Sequence, residues 1–391
     1  MVFSNKPLQF ILVALIASLP LLSVANNSVD SVKTETIAKV EGTAHHEEAK
    51  ETKVLSKEEK AEADRKAFVK HHLLDSHDFT LFSYGKDEEH QKHFGFALPV
   101  ILIDNGLQVF SSSKFEHGEA VAESNGNYYK INHHDGKVYK TDAEGTFTEN
   151  EHGHVTNAQP IDLSITKNVL MIIIVGLIMF LLFAGLGKSY KKNGSIAKGA
   201  GRFFEPIIIY IRDEIAIPNI GEKHYKKYMS FLLTIFFFIW FLNMFGLTPL
   251  GVNITGNLAV TASLAILTYL ITTFTAKKDY WKHIFWMPGV PVPMKFVLAP
   301  IELLGTIIKP FSLTIRLYAN MLAGHVVLMT LIALMYKFNS PIGSPLSFML
   351  AFVLSLLEVL VALLQAYIFT MLSALYFGSA SEEHHHEEAH H

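Results

Sequence analysis

Two apolar runs in the C-terminal part of the chain are longer than a lipid bilayer is thick. As α-helices, residues 294–337 would measure about 66 Å and residues 345–378 about 51 Å. The hydrocarbon core of a membrane is only about 30 Å thick, so neither run can cross it upright. Pro300 and Pro310 can break or kink the first helix. We therefore predict a strongly tilted helical hairpin with its turn at residues 338–344.

The first arm of this hairpin carries polar groups that are costly inside a membrane and therefore mark functional positions. Glu302, Lys309 and Arg316 recur at intervals close to two helical turns, so they form one stripe along the helix. Ser312 and Asn320 extend the same face. Because an arginine is not deprotonated in proteins, anything that passes Arg316 passes a fixed positive charge. The alternative is a structural arginine paired with a carboxylate.

The second arm supplies two further polar residues, Glu358 and Gln365. In an antiparallel hairpin, residues at one height have a constant sum of residue numbers. The sums for Arg316 with Gln365 and for His325 with Glu358 are nearly equal, so both pairs are expected to lie level. His325 follows Arg316 by about 900° of helical rotation and points to the opposite side. The sequence thus predicts a histidine–glutamate pair about 13 Å from the arginine.

The motifs S-L-x-x-R-L-x-A-N-x-x-A-G-H at residues 312–325 and E-x-x-x-x-x-x-Q-A-Y-I-F at 358–369 resemble subunit a of F-type ATP synthases, a membrane stator. The likeness extends over about residues 166–383. The string WFLNMFG is similar to a run in which the family has a channel-lining Asn, here Asn243. Relatives often have a carboxylate three residues later, where this chain has Gly246.

The resemblance implies that the chain conducts protons for ATP synthesis through two offset half-channels, which reach a rotor carboxylate on either side of Arg316. It implies a ring of c subunits and the b subunits of the peripheral stalk as partners, in the inner membrane of a bacterial cell. It implies neither catalysis by the chain alone nor a cofactor or metal. The expected outer path contains His325, Glu358, Asn320, Asn243 and Gln365, and the expected inner path contains Glu302, Ser312 and Lys309.

The composition supports a membrane protein with a soluble part, because half of the residues are hydrophobic and the mean hydropathy is +0.27. The absence of cysteine excludes a disulfide framework and a zinc–thiolate site. The sequence contains no phosphate loop, nucleophile constellation or basic nucleic-acid patch. A self-contained ion transporter or channel is the alternative function, and it would favour internal repeats, which the sequence lacks.

The charge pattern predicts the orientation. Residues 1–25 have the charged, apolar and small-residue parts of a signal peptide, with an uncleaved anchor as the alternative. Spans are expected at 169–187, 229–250 and 258–276, which with the hairpin give about five passes. The loop 188–227 is rich in Lys and Arg, so we predict an extracytoplasmic N-terminus and a cytoplasmic C-terminus. Its apolar segment 203–211 is too short to cross and suits a surface-lying or shallow re-entrant helix.

The region 26–160 is expected to be extracytoplasmic. Residues 31–70 read as an exposed or partly disordered helix. The turn residues Asp104-Asn105-Gly106 and Asp135-Gly136 each separate two alternating runs, which predicts hairpins in a small β-rich module. Its many histidines invite a metal or pH-sensing interpretation, but solvated histidines are favoured. The overall prediction is an all-α polytopic membrane domain at 161–383, with an exported β-containing region before it and a solvated His/Glu-rich tail at 384–391.

Overall fold

The computed structural model describes residues 75–84, 92–133, 135–150, 155–193, 199–248, 253–287, 290–337 and 343–381. These residues form a small β region followed by a mainly helical portion, in which five helices are long and apolar enough to cross a membrane. The predicted fold class and the number of passes are confirmed. The expected signal peptide, the segment 31–70, residues 338–342 of the hairpin turn and the tail 384–391 lie outside the described residues.

The β region contains three small antiparallel sheets. Both predicted hairpins are confirmed, since β3 pairs with β4 and β6 pairs with β7. The first turn needs left-handed backbone at Asn105 and Gly106, with φ of 50° and 132°, which these two residue types tolerate. The strands are β1 (Asp78–Tyr84), β2 (Lys92–Ala97), β3 (Pro99–Ile103), β4 (Leu107–Ser111), β5 (Ala122–Ser124), β6 (Asn127–Ile131), β7 (Val138–Thr141) and β8 (Ile161–Asp162).

The helical portion contains eight α-helices in the part of the chain that the structure describes. A π-helical turn, Ile211–Ala216, joins α2 to α3 without a break. The helices are α1 (Lys167–Asn193), α2 (Ala200–Tyr210), α3 (Ile217–Ile220), α4 (Tyr225–Gly246), α5 (Leu258–Thr275), α6 (Lys278–Phe285), α7 (Val292–Lys337) and α8 (Gly343–Ser381).

The two long arms of the predicted hairpin are α7 and α8, which pack against each other. Helix α7 also packs against α5, and α8 packs against α4. The helix α7 continues through Pro300 and Pro310, so the prolines do not break it. The strong tilt remains a prediction, because it depends on where the membrane lies.

The short apolar segment after α1 is not a span. It forms one continuous helical segment, made of α2, the π-helical turn and α3, that packs against α4 and α8. Ile211 and Ile215 are fully buried, whereas Phe203 is exposed. The contact with α8 is close at Gly378, where a Cβ atom would lie 1.9 Å from the backbone oxygen of Asn219. A side chain at residue 378 would therefore force the two helices apart.

Buried polar groups join the β region to the first span. The Asp75 carboxylate accepts hydrogen bonds from the Thr166 hydroxyl (2.8 Å) and from the backbone N–H of Asn168 (3.2 Å), so it caps the N-terminus of α1. Next to it, His77 Nε2 lies 2.8 Å from Asp162 Oδ2. Phe79 of β1 belongs to the same apolar core as the helices, so the β region is packed onto the membrane portion.

The pKa values at this junction are shifted. Burial acts to lower the pKa of His77, but the hydrogen bond and charge of Asp162 outweigh it and the pKa is raised. Burial acts to raise the pKa of Asp162, but the hydrogen bond and charge of His77 and the hydrogen bonds from Ser164 together outweigh it, and the pKa is lowered. Burial raises the pKa of Asp75, which also faces His77. The cluster therefore favours a protonated histidine beside an ionised Asp162.

This arrangement predicts a junction that loosens at alkaline pH. A raised pKa at His77 contributes stability that is complete below its usual pKa and is lost as the pH rises through the raised value. Hydrogen exchange of the backbone N–H of Asn168 should therefore be faster at pH about 9 than at pH about 6, beyond the intrinsic pH effect. In His77→Gln this extra pH dependence should disappear. An equal pH dependence in the variant would contradict the assignment.

Candidate functional site

The two arms of the hairpin bring His325 and Glu358 together. Nδ1 of His325 lies 3.8 Å from Oε1 of Glu358, and the two side chains are 4% and 7% exposed. Neither atom has a hydrogen-bond partner among the described residues. The contact confirms that the two residues lie level, as the sums of residue numbers predicted. It joins a base and an acid in a site closed to solvent, each with an unsatisfied polar atom facing the other.

Gly324 makes room for this pair. A Cβ atom on Gly324 would lie 2.8 Å from Oε1 of Glu358 and 3.2 Å from its carboxyl carbon. A side chain at residue 324 would therefore require the end of the Glu358 side chain to move from its position beside His325.

Arg316 lies where the buried and exposed sides of α7 meet. Its neighbours Leu313 and Leu317 are buried, whereas Ser312 and Asn320 are exposed. Arg316 itself is half-buried. Within the described ranges, no carboxylate of this chain lies within ion-pair distance of its guanidinium. This finding argues against the alternative of a structural arginine paired within the chain.

Two hydrogen bonds join the loop between α4 and α5 to the backbone of α8 near Glu358. Thr255 donates a hydrogen bond of 2.7 Å from Oγ1 to Oδ1 of Asn243. Asn243 in turn donates from Nδ2 to the backbone oxygen of Ala362 (3.4 Å), one helical turn beyond Glu358. Both Asn243 and Thr255 are buried. The sequence analysis missed Thr255, although it lies in a short polar link, because the contact spans two elements.

Gln365 is buried in α8, two turns beyond Glu358. Its side chain forms no hydrogen bond within the described ranges. Asn320, which belongs to the same expected path, is exposed on α7. The structure therefore brings His325 and Glu358 together and bonds Asn243 to the backbone of α8 one turn beyond Glu358. Among the described residues it shows no hydrogen bond that joins Asn320 or Gln365 to these groups.

The expected inner residues do not all lie together. The ammonium group of Lys309 lies 5.5 Å from the centre of the Tyr376 ring on α8. Glu302 is half-buried and interacts electrostatically with Tyr280 of α6. Ser312 instead lies on the exposed side of α7. The inner group is thus Lys309 and Glu302 with two tyrosines that the sequence analysis did not single out.

The chain is similar in sequence to proteins of a known family. A family model described as ATP synthase A chain matches residues 169–378, which is more than half of the chain. The chain belongs to this family. A second model, for a domain of unknown function (DUF8433), matches residues 68–163 and so covers the β region.

Several relatives named ATP synthase subunit a are similar to this chain. The relative from Chloroherpeton thalassium is 42% identical over 237 residues, covering 59% of this chain and 70% of its own length. The relative from Anaeromyxobacter sp. is 38% identical over 262 residues, covering 65% and 63%. The relative from Myxococcus xanthus is 41% identical over 235 residues, covering 58% and 77%. The resemblance found in the motifs is confirmed, and the chain is a multi-pass membrane protein of this family.

The geometry at Gly324 yields a test with a matched control. Gly324→Ala should push the Glu358 carboxylate away from His325, because overpacking costs about 1–3 kcal/mol unless the neighbour moves. We expect a several-fold lower rate of proton uptake in vesicles that contain the assembled complex. Gly305→Ala, on the same helix with open space at the new Cβ atom, should retain the full rate. Equal rates for the two variants would show that the close contact is unimportant.

Proposed function

We propose that the chain is the proton-conducting stator subunit of a rotary ATP synthase, in a bacterial inner membrane. Two offset half-channels reach a rotor carboxylate on either side of Arg316, and proton flow through them is coupled to ATP synthesis. The observation that carries the proposal is the Arg316 guanidinium, which has no carboxylate partner among the described residues. A permanent charge in a membrane span needs a countercharge, and here that group comes from another chain.

A rotor carboxylate is suited to this role because its charge is transient. When it is ionised, Arg316 attracts it and favours loss of its proton. When it is protonated, it is neutral and moves away into the lipid. The same fixed charge repels protons and so prevents direct leakage between the two half-channels. Arg316 thereby links each proton transfer to a movement of the ring.

The outer half-channel contains the polar groups on one side of Arg316. A proton passes by Thr255 and Asn243 to the Glu358 and His325 pair, which exchanges it because one member is a base and the other an acid. Asn320 and Gln365 supply hydrogen bonds between the pair and Arg316. The inner half-channel lies on the other side, where Glu302 accepts the departing proton and Lys309 and Ser312 flank its route.

The exposed side of α7 suits a ring of c subunits as the partner. Residues beside Arg316 are apolar and exposed, among them Phe311 and Ile315. Such a face accommodates either lipid or the apolar helices of a ring, and a protonated carboxylate can cross it without burying a charge. The b subunits of a peripheral stalk would hold the chain against rotation. The chain is an ion-translocating part of the complex and does not itself catalyse ATP formation.

Replacing Arg316 tests the proposal directly. Arg316→Ala should lower ATP-driven proton pumping by about 10- to 1000-fold, because an opposite charge shifts a carboxylate pKa by about 1–3 units. Arg316→Lys should restore little of the rate, since lysine lacks the planar guanidinium and loses its proton more readily. Arg212→Ala, which removes an exposed cation paired with Asp213, is the control and should pump normally. Near-normal pumping by Arg316→Ala would refute the proposal.

The relay can be tested by exchanging its members. His325→Ala and Glu358→Ala should each slow proton uptake driven by an imposed potential. The combined change should cost little more than either alone, because both substitutions interrupt the same step of proton transfer. The exchange of His325→Glu with Glu358→His should recover part of the rate, because it retains one acid and one base. If the alanine effects add and the exchange is slower than both, the residues do not form a relay.

A further inference from the structure

A cleft opens between helices α5, α6, α7 and α8 on the inner side of Arg316. The cleft is narrow. Hydroxyl-bearing side chains from all four helices line the cleft together with one amine. The lining residues that matter here are Thr268, Thr272, Tyr280, Lys309, Tyr376 and Ser379.

The wall formed by α5 is chemically suited to a cation. Thr268 donates its hydroxyl proton to the backbone oxygen of Leu264 (3.1 Å), and Thr272 donates to the backbone oxygen of Thr268 (2.8 Å). With their protons engaged within the helix, these hydroxyls offer only lone pairs to other groups. Oxygen lone pairs and an aromatic face both attract an ammonium group.

Tyr376 connects this cleft with both cations of α7. The face of its ring receives the ammonium of Lys309 at 5.5 Å. Its side chain also lies within electrostatic range of the Arg316 guanidinium. Lys309 and Arg316 are about 10.5 Å apart along the helix. The long lysine side chain could instead extend along the exposed side of α7 toward Ser312.

We propose that Tyr376 is a positioning residue that holds the Lys309 ammonium in the cleft and away from the exposed side of α7. This inference rests on the proposed function, because its effect is exerted on the rotor carboxylate opposite Arg316. A second cation near that carboxylate would stabilise its ionised form and lower its affinity for protons from the inner side. Tyr376 therefore keeps Arg316 as the cation that acts on the carboxylate.

The consequence is a pH effect that depends on Lys309. ATP-driven pumping begins with a proton taken up from the inner side. In Tyr376→Leu the freed ammonium should shift the inner-side pH profile of pumping by about one unit toward lower pH. Tyr376→Phe retains the ring face and should leave the profile in place. Lys309→Met combined with Tyr376→Leu should return the profile to that of Lys309→Met alone.

The decisive measurement is pumping in inverted vesicles at a series of outer-medium pH values, with the content of this chain and of the ring determined for each variant. If Tyr376→Leu prevents assembly, Tyr376→Met replaces it in the same comparison. If the pH profile shifts in Tyr376→Leu and the shift persists when Lys309→Met is added, the proposal is overturned, because the shift then has a cause other than the freed ammonium. An unshifted profile in Tyr376→Leu also overturns it. Arg316→Ala, measured alongside, keeps the two proposals apart: if it fails to pump while the tyrosine variants are normal, only the inference about Tyr376 is lost.

Discussion

The guanidinium of Arg316 is the constraint on which the rest of this structure depends. It cannot lose its proton, it lies half-buried in a span, and no carboxylate of the described chain pairs with it. A chain that folds alone would be expected to neutralise such a charge within its own core. This one carries it at the edge of an exposed apolar face on α7, which is the position that the proposed contact with a rotor carboxylate requires. The proposed function thus supplies the countercharge that the described residues do not provide.

Close backbone approach determines which polar groups meet. At Gly324 the absence of a side chain admits the Glu358 carboxylate to His325, and at Gly378 it admits the backbone of Asn219 to α8. Both glycines lie within long helices, where glycine is otherwise unfavourable by roughly 0.5–1 kcal/mol. Each contact aligns α8 with a different neighbour, α7 in one case and α3 in the other. The two contacts thus fix the second arm at two points that are 20 residues apart in a helix of 39 residues.

Length and periodicity predicted the hairpin well, because a helix has a constant rise and rotation per residue. The register of His325 with Glu358 followed from counting alone, as did both β hairpins from their turn residues. Contacts that cross between elements were beyond this reasoning. Thr255 reaches Asn243 from a loop, and Asp75 caps a helix from a position about 90 residues earlier in the chain. No short sequence motif marks either contact, because the two partners are separated in the sequence and meet only in the folded chain.

The stripe of Glu302, Lys309 and Arg316 shows how far helical geometry alone can mislead. The three residues do share one side of α7, and all three are half-buried. Their surroundings differ because the neighbouring helices differ along the stripe. Lys309 meets an aromatic ring and a wall of hydroxyl oxygens, whereas Arg316 meets the boundary of an exposed face. Two like charges on one face therefore have different surroundings: Lys309 contacts a ring of its own chain, and Arg316 has no carboxylate partner among the described residues.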